Sequence, residues 1–152
     1  MIKLYTDGSA LGNPGKGAYA AWLVCGAHSK ELVEAFAHTT NNRMELLAII
    51  MGLEAIKGED KQVDVYSDSR YIVDSVNKRW LQSWEQKGWK DRKNVDLWKR
   101  FLLVFSRHKI KLHWVKGHAG HPGNERCDEL ATAAAKHGPW ARDTVYESIA
   151  KG

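Results

Sequence analysis

The sequence predicts an α/β fold in which helices cover both faces of one mixed five-stranded sheet. Three segments near the amino terminus alternate apolar and polar residues with only turns between them, a pattern typical of an antiparallel meander. Two later strand-like segments are separated by helical ones, and strands joined through helices usually pair in parallel by right-handed crossovers. The 152 residues contain no repeat or low-complexity linker, so we expect a single domain spanning residues 1–152.

The strand predictions rest on short alternating or β-branched runs bounded by turn residues. Residues 2–6 alternate apolar and polar side chains and end at Asp7-Gly8, where the strand is predicted to stop. Residues 8–17 contain four glycines and a proline, which indicates a turn. The other predicted strands cover residues 18–25, 31–38, 62–67 and 110–115.

The helix predictions rest on apolar spacing and on capping residues. Asn42 is a suitable cap for a first helix that runs to about Lys57 and carries a stripe of leucines and isoleucines. From Pro139 onward we expect a loose tail, residues 139–152. The other helices are predicted at residues 69–77, 80–87, 95–107 and 122–136.

Composition excludes several classes of protein. No stretch approaches the roughly 18 apolar residues of a membrane-spanning helix, and the amino terminus has no secretory signal. Cys25 and Cys127 are too few for a disulfide framework, so we expect a reduced, cytoplasmic chain. With 43% apolar and 27% charged residues, the sequence is neither disordered nor fibrous.

The net charge of +5 comes from one segment of the chain. Residues 70–100 hold nine of the 23 basic residues but only four of the 18 acidic ones, and also four of the seven tryptophans. Positive charge interleaved with aromatic rings is typical of a surface that binds a nucleic acid. A solvated helix whose tryptophans anchor the core would have the same composition, and this alternative stays open.

Four acidic residues lie at the ends or in the first turns of predicted elements. Asp7 and Asp68 each follow a strand, and they would lie side by side if those strands are parallel neighbours. Adjacent carboxylates repel unless a cation lies between them, and hard ions such as Mg²⁺ or Mn²⁺ suit oxygen ligands. Taken singly, Asp7 could form a turn, Asp68 could cap a helix, Glu45 could complete a capping box, and Asp128 could be an exposed helical acid.

Two other motif interpretations fail on spacing. The glycine-rich segment 8–17 lacks the Walker pattern, since Ala10 and Gly17 occupy positions that need glycine and serine or threonine, and a strand follows it. The histidines and the cysteine between His113 and Cys127 match no common zinc spacing.

Four motifs resemble those of ribonuclease H type 1 of the bacterial kind. They are YTDGSALGNPGKG at the first strand, TTNNRMEL at the first helix, YSDSRYIV after the fourth strand and WVKGHAGHPGNERCDELA near the end. The match covers about residues 2–136. The resemblance implies a ribonuclease H-like sheet in the order 3-2-1-4-5 with the first three strands antiparallel. It also implies cleavage of the RNA strand of RNA/DNA hybrids, without strong sequence specificity, leaving 5′-phosphate and 3′-hydroxyl ends.

The resemblance also implies which residues form the catalytic site. Its acids would hold two Mg²⁺ ions, with Mn²⁺ as a substitute, to activate water and stabilise the leaving oxygen. Asp7 is the best candidate to bridge both ions, and the loop histidine would move protons. The metal-binding acids are Asp7, Glu45, Asp68 and Asp128, and the histidine is His118.

A second set of residues would bind the substrate, and the segment from about residue 78 to 100 resembles the basic handle of the family. Outside the handle, the amides of Asn13, Asn41 and Asn42 would contact the hybrid and its 2′-hydroxyls, which distinguish RNA from DNA, with helix capping as the alternative for Asn41 and Asn42. Thr40 and Asn13 resemble the pocket of the family that grips a DNA phosphate. Trp80 and Trp84, one helical turn apart, would seat the DNA strand. The substrate-binding set is Asn13, Thr40, Asn41, Asn42, Arg70, Trp80 and Trp84.

The chain departs from the family in its handle, and other functions stay open. The link KDRK between Trp89 and Asn94 is short, which predicts fewer phosphate contacts and weaker binding. Arg70 stands where an amide is common. The alternatives are a DNA nuclease of the same fold, a hybrid-binding module without catalysis and the nuclease domain of a larger polymerase. We expect a free-standing monomer whose partner is the hybrid, with no membrane and no small-molecule organic cofactor.

Overall fold

The computed structural model describes residues 1–117 and 120–151. Three consecutive strands come first, and the strands that follow are separated by one or more helices. In chain order the elements are β1 (Ile2–Leu11), β2 (Gly15–Cys25), β3 (His28–Thr39), α1 (Asn41–Glu54), β4 (Gln62–Ser67), α2 (Arg70–Asn77), α3 (Trp80–Gln86), α4 (Val95–Phe105), β5 (Lys109–Trp114), α5 (Pro122–His137), β6 (Trp140–Ala141) and α6 (Thr144–Lys151).

The described strands form one sheet in the order β5-β4-β1-β2-β3-β6. The pairs β1–β2 and β2–β3 are antiparallel, whereas β1–β4 and β4–β5 are parallel. The predicted order 3-2-1-4-5 with an antiparallel first half is therefore confirmed. A sixth strand, which the sequence did not predict, pairs in parallel with the outer edge of β3.

The two faces of the sheet are packed with side chains of different size. On one face, α1 presents large apolar residues to the sheet and α4 packs against α1, with Trp98 and Phe101 fully buried. On the other face, α5 lies close to the strands because the contact is made by small residues. These small buried residues are Ala18, Ala20, Ala35, Cys127, Ala131 and Ala135.

Two predicted boundaries at the amino-terminal half were wrong. Strand β1 continues to Leu11, paired with β2 as far as Leu11 and Lys16, so the expected turn over residues 8–17 is much shorter. Helix α1 is capped by Thr40, whose Oγ1 accepts from the Arg43 N–H at 3.2 Å, and not by Asn42. The local sequence offers several residues that can cap, and the end of β3 at Thr39 decides which one does.

The segment expected as a loose tail forms secondary structure. Beyond Pro139, β6 extends the sheet and α6 follows it. Asp143, between these two elements, is buried and accepts hydrogen bonds from Arg43 Nε at 2.7 Å and from Thr39 Oγ1 at 2.7 Å. This correction has a physical reason: a buried arginine inside α1 needs carboxylate partners, and the tail supplies one.

Arg43 has a second carboxylate partner on α4. Its guanidinium, 3% exposed, donates to both carboxylate oxygens of Asp96 at 2.9 and 2.8 Å. The residues Thr39, Arg43, Asp96 and Asp143 form what we call the Arg43 network. Because this network joins β3, α1, α4 and the segment before α6, it fixes the end of the chain against the first helix.

The described helices include none with the length and apolar character needed to cross a membrane.

Candidate active site

The first two acidic residues lie where β1 and β4 separate. The parallel pairing of these strands ends at Tyr5 and Tyr66, and Asp7 and Asp68 each come two residues later. The prediction that the two carboxylates lie side by side on parallel neighbours is thus confirmed. The sequence suggested that the first strand ends at Asp7. Instead, Asp7 lies within β1, because this strand continues beside β2 after it has left β4.

Glu45 joins these acids because α1 crosses very close to β1. A Cβ atom at Gly8 would overlap the backbone of Met44 and Glu45, so only glycine allows this approach. The Thr40 cap starts α1 such that Glu45 faces the sheet and not the solvent. One turn of the helix is therefore held directly over the residue that follows Asp7.

The three carboxylates form a compact group. One oxygen atom each of Asp7, Glu45 and Asp68 lie within 4.8 Å of one another. Asp7 is 6% and Glu45 9% exposed, so water screens their charges poorly. Among the residues that the structure describes, Glu45 Oε2 is buried with no hydrogen-bond partner. A buried oxygen without a donor is costly unless a cation or water completes the site.

Crowding and burial alter the acidity of this group. Burial is the largest cause that raises the pKa of Asp7 from 3.8 to about 8, and the charge of Asp68 and the adjacent Asp128 carboxyl add to the rise. Burial, followed by the charges of Asp7 and Asp68, also raises the pKa of Glu45 well above its ordinary value. The metal-free site thus favours neutral carboxyl groups, and a divalent cation would reverse this preference.

Asp128 reaches the same site from α5. The helix comes close to β1 at Gly123, where a Cβ atom would overlap the Tyr5 ring, and Cys127 Sγ donates to the Tyr5 carbonyl at 3.3 Å. Asp128 then lines a small cleft of about 20 Å³ together with Asp7 and Asp68. A cleft of this size has room for about one water molecule or ion.

His118, the predicted proton-transfer residue, lies outside the described residues. Its neighbours in the chain, Lys116 and Gly117, line the cleft beside the carboxylates, and so does His121. The segment that carries His118 therefore begins at the candidate site.

Asn124 is a site residue that the sequence analysis missed. Its Nδ2 donates to the backbone carbonyls of Thr6 at 3.2 Å and Tyr66 at 2.9 Å, across the gap that opens between β1 and β4. Its Oδ1 is buried without a hydrogen-bond partner among the described residues. The sequence indicates this role only by the position of Asn124, an amide one helical turn before Asp128. The contact holds the two strands, and hence Asp7 and Asp68, at a fixed separation.

The predicted amide and hydroxyl ligands cluster at the start of α1. Asn41 Oδ1 accepts from the Ala10 N–H at 2.7 Å, and Asn13 Oδ1 accepts from the Asn41 N–H at 3.1 Å. These bonds join the end of β1 and the loop after it to the first turn of α1. Helix capping was the alternative role for Asn41 and Asn42, but Thr40 caps α1 instead. Asn42 is exposed.

The two tryptophans of the predicted handle have different surroundings. Trp80 is 40% exposed, whereas Trp84 is only 8% exposed and packs in the core against Trp98 and Tyr71. The alternative from the sequence, a tryptophan that anchors the core, therefore describes Trp84. It still shapes the surface, because the Arg92 guanidinium lies over its ring at 4.8 Å.

Arg70 lies next to the acidic group on the first turn of α2. Its guanidinium is exposed and stacks over the Trp114 ring at 4.7 Å, while Trp114 Nε1 donates to the Asp68 carbonyl at 3.2 Å. A positive charge is thus held beside the strand end that carries Asp68.

We expect Gly8→Ala to disrupt the site by steric overlap. The added methyl group would push α1 away from β1, lowering the free energy of unfolding by about 1–3 kcal/mol and moving Glu45 away from Asp7. Urea unfolding with and without Mg²⁺ measures both effects, with Ser9→Ala in the same strand as control. Unchanged stability together with unchanged stabilisation by Mg²⁺ would show that α1 does not depend on this glycine.

The raised pKa of Asp7 predicts how metal-free stability depends on pH. Because the folded state binds this proton more tightly than the unfolded state, the Asp7 contribution is complete below pH 4 and is lost as the pH rises to about 8. Asp7→Asn, which keeps a neutral side chain, should therefore become more stable than the wild type toward pH 8 in chelator. Urea unfolding at pH 4 and pH 8 measures the free energy of unfolding of both proteins. The same difference in this free energy at the two pH values would contradict the prediction.

Comparisons with known proteins agree with the fold and the acidic site described above. The RNase H family model matches residues 1–136. A ribonuclease H of Pseudoalteromonas atlantica is 54% identical over 139 residues, which cover 88% of this chain and 90% of the relative. A ribonuclease H of Salmonella paratyphi C is 49% identical over 155 residues, with 99% and 98% covered.

Solved structures are similar in fold as well. LC9-RNase H1, described as a type 1 RNase H with the type 2 active-site motif, has a TM-score of 0.77 and 34% identity over 89% of this chain and 72% of that protein. LC11-RNase H1, solved in complex with an RNA/DNA hybrid, has a TM-score of 0.66 and 25% identity over 90% and 97%. Since sequence, sheet order and relatives agree over most of its length, the chain belongs to the ribonuclease H family of endoribonucleases.

Proposed function

We propose that this ribonuclease H hydrolyses the RNA strand of RNA/DNA hybrids with two Mg²⁺ ions, leaving 5′-phosphate and 3′-hydroxyl ends. The observation that carries the proposal is the group of three carboxylates, Asp7, Glu45 and Asp68, within 4.8 Å at the point where β1 and β4 separate. Family membership supports the endonuclease activity, and the structure of the relative LC11-RNase H1 with a hybrid supports the choice of substrate.

The donor set fits a hard divalent cation. It consists of carboxylate oxygens alone, and Glu45 Oε2 is buried without a partner in the described part of the chain. We propose Asp7, Glu45, Asp68 and Asp128 as the residues that hold the ions. When bound, two such ions supply positive charge that acidifies the attacking water and stabilises the leaving oxygen.

The protein contributes position and charge to this reaction. Asp7 interacts with Glu45, Asp68 and Asp128, so it would be the central residue of the group that holds the ions. Asn124 and Gly8 hold the backbone from which these carboxylates extend. We assign His118 to proton transfer, because an imidazole side chain can accept and release a proton near neutral pH.

The surroundings suit a hybrid duplex. Asn13, Asn41 and Asn42 are proposed to contact the hybrid, including the 2′-hydroxyls of the RNA, and Thr40 and Asn13 to grip a phosphate of the DNA strand. Trp80 and the basic handle are proposed to contact the DNA strand, and Arg70 adds positive charge near the substrate. Most of these contacts reach sugar and phosphate, so we expect little dependence on base sequence. Trp84 is proposed to act through Arg92, which it supports, and not by direct contact.

The test is cleavage of an RNA/DNA hybrid that is labelled in turn on each strand, with Mg²⁺, with Mn²⁺ and with chelator. We expect cuts in the RNA strand only, dependence on the metal, and products that a ligase requiring 5′-phosphates can join. Duplex DNA and duplex RNA of the same sequence serve as controls. Cuts in duplex DNA would favour a DNA nuclease, and binding without cleavage would favour a hybrid-binding module.

A monomeric state, a cytoplasmic location and independence from organic cofactors remain predictions. Sedimentation of the protein with and without hybrid tests the first, and activity of the purified chain with Mg²⁺ alone tests the last.

A further inference from the structure

An exposed tryptophan lies at the edge of the sheet beside the carboxylate group. Trp114 is the last residue of β5, and its pairing partner is Ser67, the last residue of β4. The ladder between these strands continues for one more hydrogen bond, from the Val115 N–H to the Ser67 carbonyl at 2.9 Å. The backbone that carries the indole is therefore fixed next to Asp68. Because Trp114 is 42% exposed, burial in the core does not account for a tryptophan at this place.

The indole of Trp114 makes one contact with its edge and one with its face. The edge donates from Nε1 to the Asp68 carbonyl at 3.2 Å. The face lies under the Arg70 guanidinium, whose Cζ is 4.7 Å from the ring centroid. The hydrogen bond holds the ring against the Asp68 backbone, and the ring attracts the cation. Trp114 thus contacts both an acid of the candidate metal site and the first residue of α2.

Arg70 is a potential competitor for this metal site. It follows Asp68 by two residues, and a long, flexible arginine side chain can reach a carboxylate at that separation. A guanidinium pairs with the same carboxylate oxygens that would bind a divalent cation. Among the ion pairs of the described residues, however, the partner of Arg70 is Asp74, at 3.8 Å, and not Asp68.

The contact with Asp74 is a weak restraint. The distance of 3.8 Å is long for an ion pair, the Arg70 side chain is 70% exposed, and Asp74 also lies 3.6 Å from Lys78 Nζ. Exposed pairs of this kind contribute little. The indole face is therefore the main contact that keeps the guanidinium in place. Without it, the positive charge would be drawn to the three clustered carboxylates.

We propose that Trp114 is a positioning residue that holds Arg70 away from Asp68. In this arrangement the Asp68 carboxylate stays available to a divalent cation, and the Arg70 charge stays exposed to the substrate. The inference rests on the proposed function and deepens it. Two side chains of opposite charge, two residues apart, are used separately because one indole prevents them from pairing.

The test measures Mg²⁺ binding and not cleavage. Trp114→Leu should weaken Mg²⁺ binding to the metal-free protein about three- to fivefold, because an exposed guanidinium then pairs with Asp68. Arg70→Gln removes the competitor, so Trp114→Leu/Arg70→Gln should bind Mg²⁺ as tightly as Arg70→Gln alone. Titration calorimetry with MgCl₂ and no nucleic acid, at one pH and salt concentration, gives the affinities.

The matched control is Trp140→Leu. Trp140 also donates from Nε1 to a backbone carbonyl, that of Ala135 at 2.9 Å, and also has a cation over its ring, Lys16 Nζ at 4.0 Å. These contacts lie away from the carboxylate group, so Mg²⁺ affinity should not change. Urea unfolding verifies that the tryptophan variants are folded before they are titrated.

Two further variants test the stacking contact itself. Trp114→Phe keeps an aromatic face but has no N–H donor, and its Mg²⁺ affinity should stay within about twofold of the wild type. Arg70→Gln alone does not depend on the folding of a Trp114 variant. It should change Mg²⁺ affinity by less than about twofold, because Arg70 does not compete while the indole holds it. A larger gain would show that Arg70 already competes for Asp68.

Cleavage gives an independent readout. Trp114→Leu should need about three- to fivefold more Mg²⁺ for half its maximal rate and should approach the wild-type rate at saturating Mg²⁺, since the cation displaces the guanidinium. In Trp114→Leu/Arg70→Gln the Mg²⁺ requirement should match that of Arg70→Gln. A purely structural loss at Trp114 would not be reversed by a substitution at Arg70.

Unchanged Mg²⁺ affinity in Trp114→Leu, or a loss that persists when residue 70 is glutamine, would overturn the inference. An equal loss in Trp114→Phe and Trp114→Leu would do the same. Each of these results leaves cleavage by the wild type intact. Failure of the wild type to cut the hybrid would instead refute the proposed function, and the Mg²⁺ titrations of the metal-free protein would still decide the role of Trp114.

Discussion

Asp7→Asn should reduce Mg²⁺-dependent cleavage of the hybrid by about 10³-fold or more, since several kcal/mol of transition-state stabilisation depend on the metal site. Asp7 is the carboxylate that lies next to Glu45, Asp68 and Asp128, and an amide in its place carries no charge to hold two cations together. Hybrid binding without metal should be unchanged at neutral pH, because the raised pKa of Asp7 keeps this carboxyl largely neutral in the metal-free site and the amide is neutral as well. Single-turnover cleavage and a separate binding titration measure the two quantities.

A control for this experiment is available on the neighbouring strand. Asp64 lies four residues before Asp68 on β4, where it forms a 2.7 Å hydrogen bond with His113 Nε2. Asp64→Asn makes the same chemical change outside the carboxylate group and should cleave at nearly the wild-type rate. If Asp7→Asn retained more than a small fraction of activity, or if both variants lost it equally, the assignment of Asp7 to metal binding would be refuted.

The second large effect is expected on stability. Arg43→Met should lower the free energy of unfolding by about 3–5 kcal/mol, because it leaves the buried Asp143 carboxylate, and with it Asp96, without a compensating charge. Urea unfolding of the metal-free protein at neutral pH measures it.

Arg100→Met provides the comparison. Arg100 also pairs with a carboxylate, Glu54, at 2.6 and 2.7 Å, but on the exposed surface of α4 and α1. Its loss should cost less than about 1 kcal/mol, because exposed ion pairs contribute little. Similar losses for Arg43→Met and Arg100→Met would show that burial does not set the strength of the Arg43 network.

The sequence was sufficient to predict the parts of the molecule that depend on local patterns. Alternation in the first three strands and the helical connections that follow led to the sheet order. An aspartate after each of two predicted strands led to the pairing of Asp7 with Asp68. Glu45 could be added only through the motif NNRMEL, because nothing local indicates that α1 passes over Gly8.

Features that depend on distant partners could not be predicted. Asn124 acts on carbonyl groups of Thr6 and Tyr66, which are more than 50 residues away in the chain. The residues around Trp84 in the sequence fit either a buried core position or an exposed binding surface. Its packing against Trp98 in the folded protein shows that it is a core residue. The order in the tail depends in the same way on Asp143, whose partner Arg43 lies 100 residues earlier.

The Arg43 network also means that the folding unit is longer than the segment that the family model matches. The segment that matches the family model ends at residue 136, whereas the carboxylate that neutralises a charge inside α1 is Asp143. Arg43 lies only two residues before Glu45, so trimming the chain to the matched segment would disturb the helix from which a metal ligand extends. A minimal catalytic fragment of this protein must therefore extend through Asp143 and not end where the family-model match ends.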